Sequence, residues 1–414
     1  PDGQEPAGLL TLAQRLAVVR AAVELGASSL RLTGGEPLLN PELEPLITAV
    51  QPLRQGNTTK NNNGLREVAL TSNGQLLSAE RACRLRRAGL DRLTISLDGV
   101  SGASVARMAG LADAAAGDRA LERVLQAIEH ARAAGFDPSH GALKLNAVIQ
   151  RDLNDDQLLP LVALAREKGV ELRLIEYMDV GNRNGWSPEA VVPAAEMLEL
   201  IGRHWPLEPL GRVACGTASR WRYRDGGGVV AVVASVSQPF CGDCNRLRVT
   251  ADGIAYTCLF ASPERGLDLK PWLQPGTPPG ELEATLRQLW QARTDRYSEE
   301  RAALPGTHYF VGFIQQYVKP QLFKDAPHLK LVQMLSAGYD RADLDAARQS
   351  GVPLCNNGGA NSVAVSEHAL LLMLAVSRRL ITQHTNVTAG RWHGNAPPTV
   401  HEVRGKVLGI VGLG

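Results

Sequence analysis

Cys241-Gly242-Asp243-Cys244, with thirteen residues between Cys244 and Cys258, is the sharpest chemical signal in this 414-residue chain. Three thiolates at this spacing can hold a soft metal or an iron–sulfur cluster. A structural zinc normally takes four ligands. No fourth Cys or His lies nearby, and His204 is remote in sequence. Half of a zinc ribbon, or unrelated core thiols, are the plainer alternatives. The other cysteines, Cys83, Cys215 and Cys355, are expected to be small buried hydrophobes. A disulfide framework is not expected in a chain of this size that reads as cytoplasmic.

Directly after the cysteine pair comes Asn245-Arg246-Leu247-Arg248. Two arginines at i and i+2 of a strand point the same way. Side by side they suit an anion such as phosphate, which guanidinium groups grip bidentately. A solvated strand face is the alternative.

The elements that must position these residues alternate over the first 180 positions. Thr11-Leu12-Ala13-Gln14 is a capping box before a helix running to Leu25. A strand Ser29–Leu32 leads into Thr33-Gly34-Gly35-Glu36-Pro37. A helix pattern covers Pro41–Val50, and the polar stretch Asn57–Gly64 reads as a loop. Then follow strand Glu67–Thr71, helix Ala79–Ala88, strand Arg92–Leu97, helix Arg119–Ala134, strand Leu143–Ile149, helix Asp155–Lys168 and strand Glu171–Ile175. Such alternation implies βαβ units and a parallel sheet. The strands read as continuous apolar runs, as if both sheet faces were covered. Polar groups gather at their C-terminal ends, the rim that carries chemistry in βα barrels.

From about Trp205 the alternation breaks into short β-like runs, Val229–Val236 and Leu247–Val249, before a helix at Gly280–Gln291. The polar stretch Tyr297–Gly306 reads as a seam. Four lysines serve the first 305 residues and four the last 109, which supports a boundary there. Beyond it, strands are expected at Lys330–Leu335 and Val352–Cys355, with helices at Asp343–Gln349 and Val363–Leu380. A further strand from Gly405 runs into a glycine turn. The composition, 44% hydrophobic and 21% charged with a net charge of +2, is that of a soluble globular chain. It gives no electrostatic reason to expect nucleic acid. The longest apolar run, Ala369–Val376, is too short for a bilayer, so no membrane partner is expected. No signal peptide is seen, and the chain reads as cytoplasmic.

Arg31-Leu32-Thr33-Gly34-Gly35-Glu36-Pro37, Thr71-Ser72-Asn73-Gly74, Ser96-Leu97-Asp98, Lys144-Leu145-Asn146, Leu172-Arg173-Leu174-Ile175-Glu176-Tyr177-Met178 and Phe240-Cys241-Gly242-Asp243-Cys244-Asn245-Arg246-Leu247-Arg248 occur in this order. Together with Asp2-Gly3 they resemble the family of molybdenum cofactor biosynthesis protein A, the radical SAM GTP 3′,8-cyclases, over about residues 1–305. The resemblance implies an α/β chain: an incomplete radical SAM (β/α) barrel over 1–205 and a small α+β subdomain that binds a 4Fe–4S cluster and GTP over 206–305. It implies S-adenosylmethionine-dependent cyclisation of GTP to (8S)-3′,8-cyclo-7,8-dihydroguanosine 5′-triphosphate, for molybdenum cofactor biosynthesis. Cys241, Cys244 and Cys258 match the cluster ligands, the cluster's open iron meeting the GTP base. Arg31, Thr71, Lys144, Arg173, Arg246 and Arg248 match GTP contacts. Gly35, Glu36, Ser96 and Met178 match positions around S-adenosylmethionine. A homodimer and a partner enzyme of the molybdopterin pathway are the protein partners implied. The family's Cys-x3-Cys-x2-Cys motif would fall just before Pro1, so the given sequence is expected to keep one cluster of two and to be inactive as it stands.

From about Thr307 the chain resembles another family, the D-isomer-specific 2-hydroxyacid dehydrogenases. The matching runs are Leu329–Asp340, Gly351–Asn361, Ser366–Met373 and Gly405–Gly414. This implies a partial substrate domain of flavodoxin-like/Rossmann type over 306–404 and the start of an NAD-binding domain over 405–414. Gly412 and Gly414 would open a G-x-G-x-x-G turn, and Ser336-Ala337-Gly338 would approach a substrate carboxylate. NAD belongs to this part alone. His368 reads as helix packing or capping. The whole chain reads as two incomplete proteins joined near residue 306, from a truncated or misassembled reading frame. The rivals are an NAD-dependent D-2-hydroxyacid dehydrogenase and a non-catalytic cluster- or nucleotide-binding fragment.

Overall fold

The computed structural model describes residues 8–54, 64–180, 186–392 and 399–409. The chain divides into two compact units, Pro1–Ala302 and Ala303–Gly414. Asp2-Gly3, nearly all of the polar stretch Asn57–Gly64, and Gly412 and Gly414 lie outside the described residues.

The first unit starts with α1 (Leu12–Glu24), whose Thr11 and Gln14 close the expected capping box. Then come β1 (Ser29–Leu32), α2 (Leu43–Ala49), β2 (Glu67–Ser72), α3 (Ala79–Ala88), β3 (Arg92–Ser96), α4 (Gly102–Ala109), α5 (Ala114–Ala133), β4 (Leu143–Ile149), α6 (Leu158–Glu167), β5 (Glu171–Glu176) and α7 (Ala194–His204). Strands β6 (Leu207–Gly211), β7 (Ser219–Tyr223) and β8 (Val229–Val233) join the same sheet, in the order β1-β2-β3-β4-β5-β8-β7-β6. Pairing is parallel from β1 through β5 to β8 and antiparallel across β7 and β6.

That order decides which face the site occupies. Parallel strands laid down one after another, with right-handed crossovers, put every connecting helix on the same side. The opposite face is left without a helical cover. The strands are therefore not the continuous apolar runs expected from the sequence. They alternate, as in Arg92-Leu93-Thr94-Ile95-Ser96, where Leu93 and Ile95 are fully buried against the helices. Arg92, Thr94 and Ser96 point the other way. β4 does the same with Lys144 and Asn146, and β5 with Glu171 and Arg173. The helix-side core runs from Val68, Leu70 and Ile95 through Leu143, Leu145 and Leu172 to Val230.

A small antiparallel sheet follows, β9 (Arg248–Val249), β10 (Ile254–Tyr256) and β11 (Leu267–Asp268), in the order β11-β10-β9. With α8 (Glu281–Gln291) it shares a second core, in which Ala255, Leu269, Leu282 and Leu286 meet Val18 and Ala21 of α1. The polar stretch of the seam, within which the two units divide, is also helical, α9 (Tyr297–Ala303). Its order comes from partners far away in sequence, described below.

The second unit holds β12 (Tyr309–Gly312), α10 (Pro320–Asp325), β13 (Leu331–Met334), α11 (Leu344–Ser350), β14 (Leu354–Cys355), α12 (Ser362–Ser377) and α13 (Leu380–Thr388), with β12, β13 and β14 parallel and in that order. Its core is Val318, Leu322, Leu329, Val332 and Met334. α12 buries no residue of its own, so His368 is exposed rather than packed or capping. Residues 405–409 are not a strand: Val407 is 99% exposed, with no neighbouring strand to supply hydrogen bonds. Cys83 and Cys355 are exposed, not buried. Cys83 lies on α3 opposite the buried Ala82 and Leu85, and Cys355 ends an edge strand. No helix among the described residues is long and apolar enough to cross a membrane.

One buried carboxylate locks the upper end of the first sheet. Glu176 is fully buried and accepts from the backbone N–H of Ala194 at 2.7 Å, Val236 at 2.7 Å and Ser237 at 2.9 Å, and from the Ser237 hydroxyl. It ties the end of β5 to the start of α7 and the exit of β8. Removing it orphans the buried Ala194 N–H, at about 1–3 kcal/mol, and frees the half-buried Val236 and exposed Ser237 N–H groups. Glu176→Ala should lower stability to urea by ~2 kcal/mol, whereas Glu208→Ala on exposed β6 should leave it unchanged. Equal midpoints for the two variants would contradict this role.

Candidate functional site

The uncovered face of the sheet is where the charge sits. Strand register lines the inward residues up in rows. Ser96, Asn146, Arg173, Ala231 and Arg220 are successive Cα partners across β3, β4, β5, β8 and β7. Thr71, Thr94, Lys144 and Glu171 form a second row, and Arg31, Ala69 and Arg92 a third. Among the described residues of these strands, Arg31, Arg92, Lys144, Arg173 and Arg220 share the face with two carboxylates, Glu67 and Glu171.

Glu171 is the hub. Its carboxylate takes Lys144 Nζ at 2.8 Å, Arg173 Nε at 3.1 Å and Arg220 Nη2 at 2.8 Å. Glu67 pairs with Arg92 at 2.8 Å. Burial pushes the Glu171 carboxyl up, but the hydrogen bond from Lys144 and the charges of Lys144, Arg173 and Arg220 outweigh it and leave it at about 2. Lys144 falls to about 8, because burial and the charges of Arg173 and Arg92 outweigh Glu171. Arg31 falls to about 10, through burial and the charges of Arg92 and Arg173, with Arg246 adding to them. Three buried polar atoms on these strands, Arg92 Nε, Asn146 Oδ1 and Arg220 Nε, have no hydrogen-bond partner among the described residues.

Arg246 brings the cysteine segment into this field. It donates to the Cys215 carbonyl at 3.1 Å and lies over the Phe240 ring, 5.3 Å from its centroid. Cys215 is not the bland thiol expected from sequence. It holds a left-handed φ of 58°, and Asp243 accepts from its N–H at 2.9 Å and its Sγ at 3.3 Å. Arg212 pairs with Asp243 at 2.9 Å. Arg248, held down by burial, feels Cys244 and Cys258, and its Nη1 donates to the Arg246 carbonyl at 3.1 Å. Cys241, Cys244 and Cys258 are all half-buried. Burial raises the Cys258 thiol, and the charge of Cys241 reaches it too. Among the described residues no group of three or more His, Cys, Asp or Glu side chains is gathered so as to hold a metal ion. Arg248 lies within electrostatic reach of Cys244 and Cys258, and Cys258 within reach of Cys241, a donor set of soft ligands and one cation.

At the C-terminal ends of β1 and β2, Glu36 accepts from Leu38 N–H at 2.9 Å, the Ser72 hydroxyl at 2.8 Å and Asn73 N–H at 2.7 Å. It binds the glycine turn to the next strand end. Gly34 has φ +151°, backbone that favours glycine, and the space beside Gly35 is open. Ser96 and Met178 stand at and just beyond the ends of β3 and β5. The structure thus gathers Arg31, Thr71, Lys144 and Arg173 on one face, with Arg246 in electrostatic reach of Arg31 and Arg248 in reach of Arg246, and Gly35, Glu36, Ser96 and Met178 at its rim. Sequence reasoning missed Glu67, Arg92, Glu171 and Arg220. The period-2 placement of charges within otherwise apolar strands is the signal that could have found them.

Residues 2–165 match the radical SAM superfamily, residues 170–299 molybdenum cofactor synthesis C, and residues 281–401 the catalytic domain of D-isomer-specific 2-hydroxyacid dehydrogenases. A GTP 3′,8-cyclase of Synechococcus sp. (strain CC9605) is 59% identical over 76% of this chain and 90% of its own length. One from Xanthomonas campestris pv. campestris (strain B100) is 48% identical over 71% of this chain and 80% of its own. Among solved structures, native anSMEcpe with bound AdoMet aligns with a TM-score of 0.45 at 15% identity, covering 75% of this chain and 78% of that one.

The Glu171 hub carries a pH signature. Its carboxyl is held near 2 against an ordinary 4.5. A depressed carboxylate adds stability that is present above 4.5 and lost as pH falls toward 2. The stability gap between the native chain and Glu171→Gln should therefore be widest above pH 4.5 and narrow below it, as read by urea unfolding at several pH values. Parallel curves would contradict the assignment.

Proposed function

This chain belongs to the GTP 3′,8-cyclase family of the radical SAM superfamily, and from that membership we propose that the charged face of its sheet holds GTP while Cys241, Cys244 and Cys258 hold a 4Fe–4S cluster beside it. The observation that carries the reading is that Arg31 shares one sheet face with Lys144 and Arg173 and lies within electrostatic reach of both Arg173 and Arg246. Two of these come from the sheet and one from the cysteine segment. Crowded guanidinium groups with too few carboxylates are what a polyphosphate neutralises.

The roles follow from placement. Arg31, Arg173, Arg246 and Arg248 grip phosphate oxygens, and Lys144 adds a compact charge that Glu171 keeps in place. Thr71 offers a hydroxyl on the same face. Arg92 Nε, Asn146 Oδ1 and Arg220 Nε are further polar atoms that lack partners. Gly35, Glu36, Ser96 and Met178 line the rim for S-adenosylmethionine, with Glu36 bracing the glycine turn. S-adenosylmethionine bound there would supply the radical initiator only on one-electron reduction by a second cluster, for which these 414 residues hold no grouped cysteine set, and a cluster on Cys241, Cys244 and Cys258 would offer iron to the GTP base. The protein's own share is to hold both substrates in register and to neutralise the triphosphate. The sequence has one grouped cysteine set, so a polypeptide of these 414 residues is assigned one 4Fe–4S cluster. We assign 1–205 to the SAM-binding part and 206–305 to the cluster and GTP subdomain.

A second reading applies to the second unit alone. The dehydrogenase match over 281–401 favours a fragment of a 2-hydroxyacid dehydrogenase there. Gln315 Nε2 donates to the Ser336 hydroxyl at 2.8 Å, and Asn356 Nδ2 to the Ala337 carbonyl at 2.7 Å, which orders the Ser336-Ala337-Gly338 turn.

Calorimetric titration with GTP tests the main reading. Arg246→Ala with Arg248→Ala should weaken binding at least about tenfold, ~1.4 kcal/mol. Replacing Arg84 and Arg87 of α3 by Ala should not. Equal losses from the two pairs would return Arg246 and Arg248 to the status of a solvated strand face.

A further inference from the structure

Segment 293–301 reaches across to the cysteine loops at several independent points. Arg293 donates from Nη1 to the Cys244 carbonyl at 2.5 Å and from Nη2 to the Cys241 carbonyl at 3.3 Å. Gly242, between those two cysteines, donates its N–H to Glu299 at 2.9 Å. Thr257, next to Cys258, gives its hydroxyl to Asp295. Phe260, two residues past Cys258, stacks on Tyr297 with ring centroids 4.8 Å apart. The Tyr297 hydroxyl in turn donates to Asp179, the residue after Met178. Arg301 is buried over Trp186, Phe260 and Tyr297, with both Nη atoms lacking a hydrogen-bond partner.

The contacts of Arg293, Asp295, Tyr297 and Glu299 share one feature: each lands within two residues of a cysteine or of Met178. The turn Cys241–Asp243 is a single 3-10 turn with no side-chain cap, and Cys258 follows a strand of three residues. Each loop has only isolated turn hydrogen bonds of its own, Cys244 N–H to the Cys241 carbonyl at 3.1 Å and Ala261 N–H to the Cys258 carbonyl at 3.4 Å among them. We propose that residues 293–299 are a clasp that holds the backbone of the loops carrying Cys241, Cys244 and Cys258, with Arg293 as its positioning residue. The guanidinium fork spans two carbonyls at once, which a single ammonium does not. Outer partners that orient metal ligands commonly change metal affinity 10–100-fold when lost. The clasp also joins the cysteine side of the site to the Met178 side through Tyr297 and Asp179. This inference rests on the cluster reading proposed above and deepens it.

The test uses the whole chain, reconstituted anaerobically with iron and sulfide. Two quantities are read: the rate of iron loss to a chelator and the midpoint potential of the bound iron. Arg293→Met should lose iron at least about tenfold faster, and its midpoint should move to more negative potential, because a cation beside the ligands favours the reduced state. Arg293→Lys keeps the charge without the fork, so its iron loss should quicken while its midpoint stays. Glu299→Ala, on an exposed helical turn, should also quicken iron loss and carries the test if Arg293→Met does not fold. Native rates and potentials in Arg293→Met or Arg293→Lys, and in Glu299→Ala, would overturn the clasp. Native iron uptake that survives replacement of Cys241, Cys244 and Cys258 by Ala would overturn the cluster reading itself, and the clasp with it.

Discussion

Uncompensated positive charge on a sheet face is the constraint around which the first unit is arranged. Cations taken out of water are tolerated when partners or a ligand balance them. Here Glu171 and Glu67 engage Lys144, Arg173, Arg220 and Arg92, and burial together with the remaining positive charge still holds Arg31 near 10 and Lys144 near 8. The fold pays for this on its other side. Right-handed crossovers put all the helices on one face, where Leu, Ile and Val residues close a continuous core. The polar face is thereby free to be selected for chemistry rather than packing.

The cysteine segment depends on the same field and on a second support. Arg246 and Arg248 extend the cationic face toward the thiols, and Cys215 and Asp243 hold Arg246 through its carbonyl contact. Behind the thiols, Arg293 and Glu299 hold the loop by its backbone. The charged face and the cysteine loops are thus fixed by different elements, the sheet for one and the segment around α9 for the other. Glu176 and Glu36 do comparable work at the rim, each binding backbone N–H groups of separate elements.

Much of this could be read from the sequence. β4 and α3 fall where apolar spacing places them, and Thr11 caps α1 as its box implies. The motif residues at strand ends share one rim because a parallel sheet puts all those ends on one side. The misreadings have physical causes. Strands such as β5 carry enough Leu and Ile to look apolar throughout, which hid Glu171 and Arg173 as an inward set. α4 begins at a glycine and α7 after a proline, and both escaped notice. The helix α9 within the polar seam escaped notice because its partners are backbone groups and side chains tens to more than a hundred residues away, and local pattern cannot reveal them. Val407 and Leu408 have strand-forming side chains but no adjacent strand, so propensity alone did not produce one.

The claim that matters most is that the charged face is a polyphosphate cradle and not merely an internal ion-pair network. Thermal unfolding of the full chain in tripolyphosphate, against sodium chloride at matched ionic strength, tests it directly. A ligand present at about 100 times its Kd stabilises the native state by about 2.7 kcal/mol. Millimolar tripolyphosphate should raise the unfolding midpoint by several degrees where sodium chloride does not, and the rise should vanish in Arg31→Ala with Arg173→Ala. The same midpoint in both salts would mean that Glu67 and Glu171 already satisfy the face, and the cradle would not exist.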